Sequence, residues 1–131
     1  MLRMLKRHEE FVQVCDKMAD LFPPGPELEG MLLQSARTRL VELGRFEEAE
    51  RNYRRFLATY PKSEARLAAN LELIRALHQL GKHEEVIAQG KEFLPKATAD
   101  WMSTEVRDYM ADAYTALGQD EEAAKIRGEN P

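Results

Sequence analysis

The sequence predicts an all-α chain made of repeated helix pairs, about seven helices in all, and three observations carry that reading. Leu43-Gly44-Arg45-Phe46-Glu47-Glu48-Ala49 returns as Leu80-Gly81-Lys82-His83-Glu84-Glu85-Val86 and again as Leu117-Gly118-Gln119-Asp120-Glu121-Glu122-Ala123. Its glycines stand 37 residues apart in both intervals, and self-similarity at such a period marks one helical unit stacked on copies of itself. Between these stretches the apolar residues keep helical steps of three and four, with no alternation long enough for a strand.

The first helix is expected over residues 1–21, with Leu2, Leu5, Phe11, Val14, Cys15, Met18 and Leu21 setting the period. Phe22-Pro23-Pro24-Gly25-Pro26 stops it, because proline lacks an amide donor and restrains the residue before it. Pro26 opens the second helix, Glu27 and Glu29 complement its N-terminal dipole, and Leu32, Leu33, Ala36, Leu40 and Leu43 line one face. Gly44 suits the left-handed position that ends a helix. The return helix spans about 46–59, with Phe46, Ala49, Tyr53, Phe56, Leu57 and Tyr60 as its stripe, and Pro61 closes the unit. Ser63 is placed to cap a helix over 64–80, followed by a turn at Gly81 and a return over 83–94 that Pro95 ends. Gly90 lies inside that return, at a cost of about 1 kcal/mol relative to alanine; a close neighbouring helix or a chance weak residue would each account for it. Thr98 or Asp100 is placed to cap a helix over 101–117, and a short helix over 120–127 ends at Gly128.

The 131 residues suit one domain with a real core. With 32% charged and 44% hydrophobic residues the composition is globular. A net charge of −4 argues against non-specific nucleic-acid binding, which needs a basic footprint. No apolar run is long enough to span a bilayer. With one cysteine, Cys15, no intrachain disulfide forms. The start of the chain does not read as a signal peptide. A cytoplasmic location is the expectation, or a periplasmic or envelope one if the chain is cut from a longer exported protein.

No phosphate-binding glycine loop, nucleophile elbow, His-Glu-x-x-His or Cys-x-x-Cys pattern is present, so no catalytic residue, cofactor site or metal site is assigned. His78 and His83 flank Gly81 with Glu84 near, but His8 and His83 share a repeat column with Phe46 and Asp120, so the column tolerates any residue. The Glu-Glu pairs recur in the first turn of each return helix, where negative charge favours the dipole, and are read as helix starts. Arg51, Arg54 and Arg55 form a strip balanced by Glu47, Glu48 and Glu50, which reads as a solvated face. Cys15 aligns with Tyr53 and Gly90 in a column that faces other helices, so it is expected to be buried.

The chain resembles the tetratricopeptide repeat family. Leu33, Ala36, Leu40, Gly44, Ala49, Tyr53 and Pro61 match the family pattern in the first unit. Leu73, Leu77, Gly81 and Phe93 match it in the second, and Met110, Ala111, Tyr114, Gly118 and Ala123 in the third. Arg37 and Ile74 stand where the family has a small residue, Asn70 and Arg107 where it has a bulky aromatic, and the period is longer than usual. The repeats are therefore divergent. The resemblance implies a right-handed superhelical stack of antiparallel helix pairs, an α-solenoid. The single domain divides into a half repeat over 1–25 and repeats over 26–62, 63–97 and 98–131. Arg7-His8-Glu9-Glu10-Phe11 lines up with Arg45-Phe46-Glu47-Glu48-Ala49, so the array starts mid-unit. Three explanations stand: a fragment of a longer protein, a first helix that caps the array in its own pose, or an open end that pairs with a second copy as a homodimer.

The family binds peptides or partner helices along its first helices. Carried over, that groove comprises Gln34, Thr38 and Val41 in the first unit, Leu71, Arg75, His78 and Gln79 in the second, and Glu105, Asp108, Asp112 and Thr115 in the third. The lysines and asparagines with which some members grip a C-terminal carboxylate are missing. The acidic third unit points to a basic or mixed-charge protein segment. The implied function is a non-catalytic protein-interaction scaffold, with self-assembly through open repeat ends as the alternative. Tyr60-Pro61-Lys62-Ser63 also looks like repeats of bacterial envelope assembly proteins.

Overall fold

The structure is a computed structural model and describes residues 2–128. Seven α-helices and no strand occur among them: α1 (Leu2–Leu21), α2 (Pro26–Arg37), α3 (Phe46–Thr59), α4 (Arg66–Gln79), α5 (His83–Phe93), α6 (Asp100–Ala116) and α7 (Asp120–Ile126). A π-helical turn, Thr38–Glu42, continues α2, and a 3-10 turn, Leu94–Lys96, follows α5. The chain forms two compact units, Met1–Ala76 and Leu77–Pro131, whose division falls inside α4.

The repeated heptad is the reversal within each helix pair. Gly44, Gly81 and Gly118 take φ of 62°, 69° and 78°, a left-handed conformation that a Cβ resists. The next residues, Arg45, Lys82 and Gln119, stand at the N-caps of α3, α5 and α7, and none supplies a capping side chain. Each of these helices instead carries acidic residues in its first turn, where they oppose the positive end of the dipole. The repeated glutamates therefore do the electrostatic part of a cap's task.

In the first unit α2 packs against both α1 and α3. Val12, Cys15 and Ala19 of α1, Leu28, Leu32 and Ala36 of α2, and Ala49, Tyr53 and Phe56 of α3 are all buried. Cys15 is inside as expected, and its thiol pKa is pushed up by burial first and by the charge of Asp16 second, against the pull of Arg39. The Tyr60 hydroxyl accepts from Gly25 N–H (3.0 Å) and donates to Gly25 C=O (2.8 Å), tying the proline-rich loop to the end of α3. Ser63 Oγ accepts the N–H of Ala65 at 3.1 Å just ahead of α4 and donates to Glu29.

The π turn departs from the continuous helix expected to Leu43. Within it Arg39 lies inside, with only 7% of its side chain exposed. The guanidinium bonds Asp16 of α1 in a fork (3.1 and 2.5 Å), Glu48 of α3 (2.9 Å), Ser35 of α2 (2.5 Å) and Asn52 of α3 (2.8 Å). Burial pulls the arginine pKa down, but the hydrogen bonds and charges of Asp16 and Glu48 outweigh that and hold it above its ordinary value. The same repeat column holds Ala76 and Ala113, both buried. One column of the array thus carries a charged hub in the first repeat and a small apolar residue in the others.

In the second unit α6 packs against α5 and α7. Val86, Phe93, Val106, Met110, Ala113, Tyr114 and Ala123 are buried. Gly90 lies against α6 so closely that a Cβ there would sit 2.5 Å from Met110 Sδ. Close approach, and not chance, explains this glycine. Two expected ends shift. Pro95 falls inside the 3-10 turn, whose bonding it tolerates near the start. Ala99, not Thr98 or Asp100, takes the N-cap of α6 without a side-chain bond, and Asp100 lies in the first turn.

Candidate partner-binding surface

The groove residues inferred from the family resemblance stand mostly three or four residues apart along each first helix, with His78 and Gln79 as neighbours, so that each set lies on one broad helix face. In the first unit Gln34 is exposed, Thr38 half-buried and Val41 70% exposed within the π turn. Leu71 is a correction to this set. It is only 2% exposed and belongs to the core, so it offers nothing to a partner. Arg75 is half-buried.

Behind this face lies a polar cluster that the sequence did not announce. Arg37 of α2 forks onto Glu72 of α4, with Nε to Oε1 at 2.6 Å and Nη2 to Oε2 at 3.1 Å. The buried Tyr53 hydroxyl of α3 donates to the same Glu72 Oε1 at 3.3 Å. Arg37 stands where the family has a small residue, and its reach across one repeat to Glu72 explains the departure. Its pKa is pushed above the ordinary value chiefly by the hydrogen bond to Glu72. Burial drives the Tyr53 phenol far above its ordinary range, and the Glu72 charge and hydrogen bond add to this against the pull of Arg37 and Arg75. A planar, bidentate pair of this kind fixes orientation as well as distance.

In the second unit His78 is half-buried and its ring lies 4.4 Å from that of Tyr109, while Gln79 is exposed. On α6, Asp108, Asp112 and Thr115 are exposed and Glu105 is half-buried. Asp112 accepts from Arg127 at 3.2 Å, an exposed pair of small energetic weight. Trp101, 56% exposed, stands four residues before Glu105 and seven before Asp108 and so heads the same stripe. Sequence reasoning passed over it, although a lone tryptophan in phase with a polar stripe is a readable signal. Exposed tryptophan beside a polar row is a frequent anchor in interfaces.

Among the described residues no three or more His, Cys, Asp or Glu side chains come together to hold a metal. A shallow polar hollow in the first unit is lined by Asp16, Arg39, Glu48, Arg51 and Asn52, and its central Arg39 is fully engaged by its neighbours. No described helix is long and apolar enough to cross a membrane.

Comparison with known proteins gives one family. The model described as tetratricopeptide repeat matches residues 38–100, which run from the π turn through α5 to the start of α6. No curated protein and no solved structure matches the chain. Repeats of this family generally mediate protein–protein interaction or scaffolding, and the family is generally non-catalytic. The helix pairs, the glycine reversals and the family match together support a tetratricopeptide repeat protein, all-α over the described residues.

Proposed function

We propose that the protein is a non-catalytic interaction scaffold that takes a basic or mixed-charge protein segment on the faces of its first helices. One observation carries the reading: the stripe on α6 that joins exposed Trp101 to Glu105, Asp108 and Asp112. Lysine and arginine side chains match such a row in charge, and their cations stack favourably on an indole. The spacing suits an extended segment or a helix laid along α6. A weak, salt-sensitive complex is the consequence, because exposed charges act within a Debye length of about 8 Å at physiological ionic strength.

The test uses labelled synthetic peptides rich in lysine and arginine, compared with acidic peptides of equal length, against the full chain. Binding of the basic peptides that weakens with salt and is lost in Asp108→Lys/Asp112→Arg supports the assignment. Unchanged binding in that double variant, or equal retention of both peptides, removes it.

A further inference from the structure

The helix α1 carries a second apolar stripe beside the one it buries. Val12, Cys15 and Ala19 face the interior. Met4, Phe11, Val14 and Leu21 are exposed, at 62%, 42%, 52% and 81%. With Arg7 and Met18 they follow the spacing three-four-three-four-three from residue 4 to residue 21. This is the seam of a two-helix coiled coil, with one position, Arg7, charged. The stripe is more than an uncovered repeat face. Phe11 and Met18 share columns with Ala49 and Phe56, which are fully buried in α3. Val14 and Leu21, however, share columns with Asn52 and Thr59 in α3 and with Gln89 and Lys96 beyond. Alpha1 is apolar where its counterparts are polar.

Charge selects the occupant. Arg3 and Lys17 edge the open side of the seam and Arg7 lies within it, against one anion, Glu10. Among the described residues Arg3, Arg7 and Lys17 enter no ion pair. A second copy fits badly in either direction. Parallel pairing sets Arg7 on Arg7. Antiparallel pairing sets Met4 on Leu21 and Phe11 on Val14, but it also sets each Arg7 on Met18, a charge in an apolar layer with no carboxylate opposite it. We infer that the outer face of α1 docks a different protein's amphipathic helix, one with an apolar three-four seam and carboxylates on its flanks. This site is separate from the one on α6 and asks for the opposite charge.

Two synthetic amphipathic helices with the same leucine seam, one flanked by glutamate and one by lysine, are titrated against the full-length chain by fluorescence anisotropy. The glutamate-flanked helix is expected to bind, and the lysine-flanked one to bind about tenfold more weakly or worse. Val14→Lys and Leu21→Lys, at exposed positions, are expected to weaken the acidic helix by about tenfold or more while leaving helicity by circular dichroism unchanged. Asp108→Lys/Asp112→Arg is expected to leave this binding intact, which separates it from the α6 proposal. Equal binding of the two helices, or binding of neither, overturns the inference. A concentration-dependent dimer that Val14→Lys dissolves assigns the face to a second copy and overturns it too, as does uptake onto phosphatidylserine vesicles that the same variant abolishes.

Discussion

Replacing Gly90 with alanine sets two effects of similar size against each other. Alanine in a helix interior is favoured over glycine by about 1 kcal/mol. The new methyl would lie 2.5 Å from Met110 Sδ, 2.7 Å from Met110 Cγ and 3.3 Å from Val106 Cγ1. Ordinary carbon contacts need about 3.5–4.0 Å, so Met110 must retreat by roughly 1 Å. It is fully buried and has no solvent to retreat into. Overpacking of this kind costs about 1–3 kcal/mol, so Gly90→Ala should be destabilising by about 0–2 kcal/mol net. Urea unfolding followed by circular dichroism measures it, and heat unfolding gives an independent reading. In a Met110→Ala background the two severe contacts are gone and only that with Val106 at 3.3 Å remains. That change alone should cost about 2–5 kcal/mol, but Gly90→Ala added to it should then stabilise by about 1 kcal/mol. A change of sign between the two backgrounds is the decisive outcome. Stabilisation by about 1 kcal/mol in both would show that close packing does not hold Gly90 in place, and the reasoning would fail.

Two further predictions concern the polar groups of the first unit. Arg39→Ala should destabilise by about 1–3 kcal/mol in urea unfolding, less than the loss of a fully buried pair, because Asp16 and Glu48 are half-exposed and water can hydrate them. Arg39→Met should cost less than Arg39→Ala, since it keeps most of the volume; equal losses would assign the effect to charge alone. The Tyr53 phenol titrates far above its ordinary value of 10.0 in the folded chain, so its stabilising contribution is complete below about pH 10 and fades as pH rises beyond that. Tyr53→Phe should therefore lose less stability than the parent chain between neutral pH and pH 11 in parallel unfolding curves; identical pH dependence would contradict the burial of that hydroxyl.

Local signals carried much of the fold. Glycine, leucine and glutamate at fixed offsets located the reversals, because each acts within one or two turns of its own position. The prolines at 23, 24, 26 and 61 marked interruptions for the same reason. Cys15 was readable as interior from its repeat column alone. What escaped depends on partners distant in sequence. Arg39 comes inside because Asp16 and Asn52 converge on it, and Arg37 tolerates its place because Glu72 lies 35 residues on. The π turn that holds Arg39 leaves no local trace in the apolar period. Among the inferred surface residues Leu71 was misjudged because helical phase places it on the right face but does not say how much of that face the neighbours cover. Trp101 was missed because it stands at the very start of its helix, outside the stripe that the apolar period defined.

The arginine hub has a consequence for how such an array can be assembled. Asp16 of α1, the partner of Arg39, falls in the repeat column occupied by Arg54 in α3 and Lys91 in α5. The residue that Arg39 meets is acidic in the preceding helix and basic in the next two counterparts. Repeat one is therefore addressed to α1 and not to α3 or α5, behind which its arginine would meet a like charge. Repeats two and three, with alanine in that column, carry no such address. A permuted or duplicated array would have to keep α1 and repeat one adjacent, whatever it did with the rest, so the order of the modules is written in the protein's interior and not only in its linear sequence.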